Sequence, residues 1–149
     1  MSARGQQGFT LVEMLLVLLL LALTAGIATA RFSVRSADDS LQAIAYEIAS
    51  RCRAARTGAM RGGADQVVLI DLAERVMSGG DKMPLQIPRT VDIVAETSAA
   101  EQPAASVAAV RFLANGSSTG GTVRLALGTQ AYEIYISWFT GRVSVEAAR

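Results

Sequence analysis

The chain has 149 residues, 51% of them hydrophobic, with 14 Lys and Arg against 13 Asp and Glu for a formal charge of +1. That balance offers no concentrated basic surface of the kind strong nucleic-acid binding needs, and the length leaves room for one modest domain beside a membrane segment. With no histidine and one cysteine, Cys52, an internal disulfide, a His/Cys metal site and a Ser/His/Asp or Cys/His catalytic group are excluded.

A short leader carrying Arg4 comes first. Gly8-Phe9-Thr10-Leu11-Val12-Glu13 then runs directly into Met14-Leu15-Leu16-Val17-Leu18-Leu19-Leu20-Leu21-Ala22-Leu23. Residues 14–30 hold no charge, and the stretch 9–30 is long enough to span a bilayer as a helix, since ~20 residues suffice. One carboxylate, Glu13, stands at the mouth of this segment. An acid in hydrocarbon costs roughly 2.5–3.5 kcal/mol, so its presence marks a functional position with a partner to be named. An ordinary signal anchor, with Glu13 at headgroup level, is the plainer reading. A cleaved signal peptide ending at Ala28-Thr29-Ala30 fits poorly, because the apolar run exceeds the ~7–15 residues expected of one. Arg4 precedes the segment while Arg31 and Arg35 follow it, so charge counting says little about orientation.

Beyond Ser40 the apolar positions Leu41, Ile44, Ala45, Ile48, Cys52 and Ala55 recur every three or four residues, the stripe of an amphipathic helix. The other face carries Asp38, Gln42, Glu47, Arg51 and Arg53. Arg51, Arg53, Arg56 and Arg61 crowd the C-terminal end, where positive charge suits the helix dipole, and they read as solvated helix-end residues. Gly62-Gly63 supplies a stop. Cys52, at helical spacing, reads as a small core residue.

From Asp65 the period becomes strand-like. Gln66-Val67-Val68-Leu69-Ile70-Asp71-Leu72 predicts a strand, with Arg75-Val76-Met77 as its partner. Pro84 and Pro88 frame Leu85-Gln86-Ile87 as an edge or connecting segment, and residues 91–94 predict another short strand. Residues 96–106 have the composition of a mobile surface loop. Val110-Arg111-Phe112-Leu113 leads into the turn-rich stretch 114–121, and Thr122-Val123-Arg124-Leu125-Ala126-Leu127 leads out. Tyr132, Ile134, Ile136 and Trp138 then alternate with Glu133, Tyr135 and Ser137, predicting a strand with one buried face. Phe139-Thr140-Gly141-Arg142 turns the chain into Val143-Ser144-Val145. The fold class is α+β: a long N-terminal helix, half transmembrane and half amphipathic, packed on one face of a mostly antiparallel β-sheet head.

No candidate catalytic site emerges, and the chain reads as a non-enzyme without a cofactor. Residues 116–121 lack the lysine and following Ser/Thr of a phosphate-binding loop and precede a strand, so they read as a hairpin loop. Asp38-Asp39 reads as a solvated helix face. Asn115-Gly116-Ser117 fits a glycosylation acceptor, which carries little weight in a bacterial-looking chain.

The segment from Gly8 to Glu13 with its apolar run resembles the class III signal of type IV prepilins and type II secretion pseudopilins. The stretch Phe112-Leu113-Ala114-Asn115-Gly116-Ser117-Ser118-Thr119-Gly120-Gly121-Thr122-Val123-Arg124-Leu125, with Tyr132-Glu133-Ile134 and Thr140-Gly141-Arg142-Val143, looks like the domain shared by GspH-type minor pseudopilins and FimT/FimU-type minor pilins. Residues 64–106 match only in general character. The resemblance implies a leader at 1–8, a transmembrane helix at 9–30, the periplasmic half of the stem at 31–61 and a β-rich head at 62–149. It also implies that a prepilin peptidase cuts between Gly8 and Phe9 and methylates Phe9, and that Glu13 pairs with the Phe9 amine of a neighbouring subunit. The chain would then be a single-pass inner-membrane protein, N-terminus cytoplasmic and head periplasmic. It would serve as a minor pseudopilin at or near the tip of a short periplasmic pseudopilus, partnered by other pseudopilins and the inner-membrane assembly platform. Major pseudopilins of this family hold calcium through clustered acids; Glu133 and Glu146 are isolated in sequence, so no metal site is expected. The alternative is a FimT/FimU-type minor pilin that primes a pilus or contacts DNA, which should carry a basic tail; this chain ends Val145-Glu146-Ala147-Ala148-Arg149. A signal-anchored periplasmic adaptor is the third reading.

Overall fold

The computed structural model describes residues 11–80, 83–97 and 106–148, with the side chains of 24–39 outside the description. The chain divides into two compact units, Met1–Ser36 and Ala37–Arg149. Helix α1, Leu11–Gly62, contributes to both. Gly8 and Phe9 lie outside the described residues, as do the side chains of Asp38 and Asp39.

In the second unit the amphipathic stripe forms as its period requires. Leu41, Ala45, Ile48, Cys52, Ala55 and Ala59 are all buried, with Ala49 beside them, while Gln42, Ala43, Arg53 and Ala54 face solvent. Residues three and four apart share a helix face, so a single apolar row faces the core. The helix ends at Gly62, with Arg61 in its last turn. Gly63 follows in the left-handed conformation at φ 64°, the cap that lets the chain leave a helix without a Cβ clash.

Among the described residues eight strands follow: β1 Gln66–Asp71, β2 Val76–Ser78, β3 Leu85–Gln86, β4 Asp92–Thr97, β5 Val107–Phe112, β6 Gly121–Leu127, β7 Gln130–Ile136 and β8 Val143–Ala148. Among these strands every pairing is antiparallel. Two four-stranded sheets result, ordered β3-β2-β1-β5 and β4-β6-β7-β8, where the sequence suggested one. The division falls between β5 and β6. Gly120 and Gly121 take φ values of 74° and 156°, and β6 turns away from β5 to pair with β4 and β7. The segment before β6 stays tied to β5 by the bridge from Phe112 to Ser118.

One core joins the helix to both sheets. Phe112, Leu41, Ile48, Ile70, Met77, Leu125, Ile134 and Ile136 are its largest fully buried side chains, each contributing roughly 1.5–3 kcal/mol on removal from water. The short β3, bounded by Pro84 and Pro88, is an edge strand as those prolines require. Two expectations change. Glu96 and Thr97 are not loop: they belong to β4 and pair with Thr122 and Gly121, while residues 98–105 lie outside the described set. Trp138 does not continue the buried face of β7. It is 67% exposed, because the strand ends at Ile136 and the Ser137 carbonyl accepts bonds from Gly141 N–H at 2.8 Å and Ser118 Oγ at 2.9 Å.

Candidate assembly surfaces

Within the first unit, residues 11–23 of α1 present their apolar side chains outward. Leu11 is 77% exposed, Leu19 67% and Leu23 64%. A helix that is apolar all round is stable only when buried in lipid or among other helices, so this segment calls for a partner. Glu13 lies in its first turn, the one acid among residues 11–23. No helix among the described residues is long and apolar enough to cross a membrane; the expected span 9–30 includes residues 9, 10 and the side chains of 24–30, which lie outside the description.

In the second unit, the crowded arginines do more than solvate a helix end. Arg56 Nε donates to the Gly116 carbonyl at 2.9 Å and Arg53 Nη2 to the Val143 carbonyl at 3.0 Å. Arg51 Nε pairs with Glu47 at 2.8 Å and its Nη1 donates to the Met83 carbonyl. Three successive helix-face cations thus tie α1 to the segment before β3, the β5–β6 loop and the start of β8. Gly116 and Gly141 both lie in the left-handed region. A Cβ on Gly141 would stand 2.9 Å from Arg56 Nε and overlap the Gly116 carbonyl oxygen, so the Asn-Gly and Thr-Gly-Arg turns are glycine-bearing where Arg56 passes between them.

Ser118 joins those turns from the other side. It is 6% exposed, its hydroxyl accepts from Gly120 N–H at 3.1 Å, and its N–H donates to the Trp138 carbonyl at 2.9 Å. A buried hydroxyl needs such partners. Sequence reading missed both the arginine ties and Ser118, since the bonded positions lie 19 to 90 residues apart. Cys52 is fully enclosed, and burial pushes its thiol up to about 12 from 9.0, with Arg53 pulling weakly the other way. A thiol held neutral is inert. Among the described residues no group of three His, Cys, Asp or Glu side chains gathers to hold a metal.

Residues 3–29 match the prokaryotic N-terminal methylation motif, and residues 45–141 match the type II transport protein GspH. The chain belongs to the GspH family. Type II secretion system protein H of Xanthomonas campestris pv. campestris is 29% identical to this GspH-family chain over 140 residues, covering 94% of it and 83% of the relative. Among solved structures, the minor pseudopilin EpsH of the Vibrio cholerae type 2 secretion system aligns with a TM-score of 0.59 at 17% identity, over 72% of this chain and 96% of that one. The type IV minor pilin FimU of Pseudomonas aeruginosa aligns at 0.54 and 19% identity, over 75% and 95%. These two likenesses give the α+β pilin fold alone. The GspH match assigns the chain to type II transport, because FimU and EpsH share the fold across different machines.

Proposed function

We propose that the chain works as a minor pseudopilin of a type II secretion system, built into a short periplasmic pseudopilus at or near its tip. It enters the inner membrane as a single-pass protein, N-terminus cytoplasmic and head periplasmic. Prepilin peptidase then cuts between Gly8 and Phe9 and methylates Phe9. The inner-membrane assembly platform passes the mature subunit to the other pseudopilins, and the chain acts by assembly, without catalysis. The observation that supports this most is the joint match, GspH over 45–141 and the methylation motif over 3–29, on a chain whose residues 11–23 present an unpacked apolar helix.

The chemistry of assembly follows from that helix. Packing it against like segments of other subunits removes both apolar surface and water. A carboxylate in such surroundings needs a charged partner, since an unpaired buried charge is strongly destabilising. Glu13 neutralises the Phe9 amine of an adjacent subunit, and the pair selects one axial register among otherwise equivalent greasy contacts. A Glu13→Ala variant expressed at native level should still be cleaved, with an N-methyl-Phe9 terminus by mass spectrometry, yet fail in secretion. Normal secretion by that variant overturns the role given to Glu13. A mature protein that keeps residues 1–8 returns the chain to the signal-anchor reading.

A further inference from the structure

The last strand of a sheet presents backbone groups that lack a ladder partner, and folded proteins blunt such edges. The two sheets end in β3 and β5, and in β4 and β8. β3 is only two residues long, between Pro84 and Pro88. β5 is covered near its end, where Thr119 N–H donates to the Arg111 carbonyl at 2.9 Å and Arg111 N–H to Thr119 Oγ1 at 3.0 Å. β4 turns two acids, Asp92 and Glu96, out to solvent. β8 has six residues with neither proline nor lysine, and its edge is the least guarded.

The hairpin fixes which of its backbone groups are free. Ser137 N–H donates to the Arg142 carbonyl at 2.9 Å, and β7 and β8 continue that register from Ile136 with Val143 to Ala131 with Ala148. Hydrogen-bonded and non-hydrogen-bonded pairs alternate along an antiparallel ladder. Ser144, Glu146 and Ala148 therefore bond β7, while Val143, Val145 and Ala147 aim their N–H and C=O groups off the edge. The 3.0 Å bond from Arg53 Nη2 to the Val143 carbonyl agrees with this phase and closes the edge at that end. Among the described residues nothing meets the outward backbone groups of Val145 and Ala147.

The side chains beside this gap define what fills it. On the outer face Glu146 is exposed directly opposite Glu133, a like-charge pair that destabilises the sheet. On the inner side Val145 packs partly on the core, and Ala147 beyond it is exposed, so the core stops short of the edge. An added strand sets alternate residues in the row of Glu146 and in the row of Val145 and Ala147. The first row calls for a cation and the second for aliphatic side chains. We infer that the free edge of β8 takes an antiparallel strand from a different protein, an extended segment in which Lys or Arg alternates with aliphatic residues. The N–H and C=O groups of Val145 and Ala147 hold its backbone, and the cation opposite Glu146 selects it. A second copy of this chain fits badly. The register that uses both Val145 and Ala147 puts Glu146 opposite its own counterpart, with a Glu133 on either side. Neither cleavage at Gly8 nor the pairing of Glu13 enters into this contact.

The test uses the full chain in nonionic detergent micelles and a fluorescent peptide of alternating Lys and Val, with binding read by anisotropy. The peptide's valines lie opposite Val145 and Ala147, so methylating the valine amides should weaken binding at least about tenfold. Methylating the lysine amides, which point to solvent, should leave it unchanged. Bound peptide should slow hydrogen exchange at the Val145 and Ala147 amides. Ala147→Pro removes an outward N–H and no bond to β7, and it should bind at least about tenfold more weakly with an unchanged circular dichroism spectrum. Glu146→Lys should release the Lys peptide and bind its Glu counterpart instead. Absence of binding at about 1 mM peptide overturns the inference. So does equal weakening by the two methylations, which would reduce the contact to charge, or wild-type binding by Ala147→Pro. Protection of Val145 and Ala147 that grows with chain concentration in the absence of peptide gives the edge to a second copy and overturns it too.

Discussion

Replacing Gly141 with alanine should loosen the join between the stem helix and the head. Gly141 has φ +61°, and its missing Cβ leaves room for the Gly116 carbonyl and for Arg56, whose Nε would lie 2.9 Å from an added methyl. Left-handed backbone costs an L-residue about 1–2 kcal/mol. Displacing Gly116 also breaks the 2.9 Å bond from Arg56, and a hydrogen bond to a charged group is worth about 1.5–3 kcal/mol. The two terms together give a loss of roughly 2.5–5 kcal/mol, a large part of the ~5–15 kcal/mol that holds a domain folded. At about 4 °C per kcal/mol for a unit of this size, the midpoint should fall by roughly 10–20 °C. Thermal unfolding of the detergent-solubilised chain, followed by circular dichroism, measures it. Gly62→Ala is the control: that glycine is helical and has nothing within 4 Å of an added Cβ, so its change should be neutral or slightly stabilising. In an Arg56→Ala background the Gly141→Ala loss should shrink, since the shared bond is already gone. A loss under about 1 kcal/mol, or no coupling above ~0.5 kcal/mol between the two sites, refutes the argument.

Cys52, buried with its thiol pushed up to about 12, should resist thiol reagents in the folded chain and react on unfolding; fast stoichiometric labelling of native protein would contradict its burial. The same raised value means that stability from the neutral thiol is intact below pH 9 and is lost as pH rises from 9 towards 12, which denaturation at stepped alkaline pH should follow for the wild type and not for Cys52→Ala. Glu47→Ala should cost under about 1 kcal/mol, because the Glu47 side chain of the pair with Arg51 is 38% exposed and so partly screened; a larger loss in urea denaturation would show that the Arg51 link to Met83 depends on it. Phe112→Ala, at a fully buried position, should cost about 3–5 kcal/mol, and an unchanged denaturation midpoint would remove Phe112 from the core.

What sequence alone could read was set by range. The stripe from Leu41 to Ala55 was legible because a 3.6-residue period is a local signal, and the same holds for β1, for the proline-bounded β3 and for the alternation in β7. Strand ends were not legible. Glu96 and Thr97 look like loop residues, and only their partners on β6 make them strand. Val107, Ala108 and Ala109 open β5, yet alanine has weak strand preference, and it is pairing with β1 that fixes them. Trp138 was misread because an alternating pattern does not reveal where backbone bonds from a distant loop end a strand. At the assembly surfaces, the N-terminal motif could be read as a motif. The arginine ties could not, since each spans tens of residues and Arg53, Arg56 and Arg61 look alike in sequence.

The buried row of α1 is built mainly from small side chains, Ala45, Ala49, Cys52, Ala55 and Ala59, and this works as a gauge for the whole head. Small residues let the helix backbone settle close to the sheets. That closeness is what brings the fixed reach of a guanidinium within bonding distance of the Gly116 and Val143 carbonyls. Enlarging any one alanine would lift the helix like a shim and leave Arg53 and Arg56 short of their acceptors together. The chain thus gauges its own packing: a methyl group's thickness along the buried row decides whether the turns that Arg53 and Arg56 reach are held.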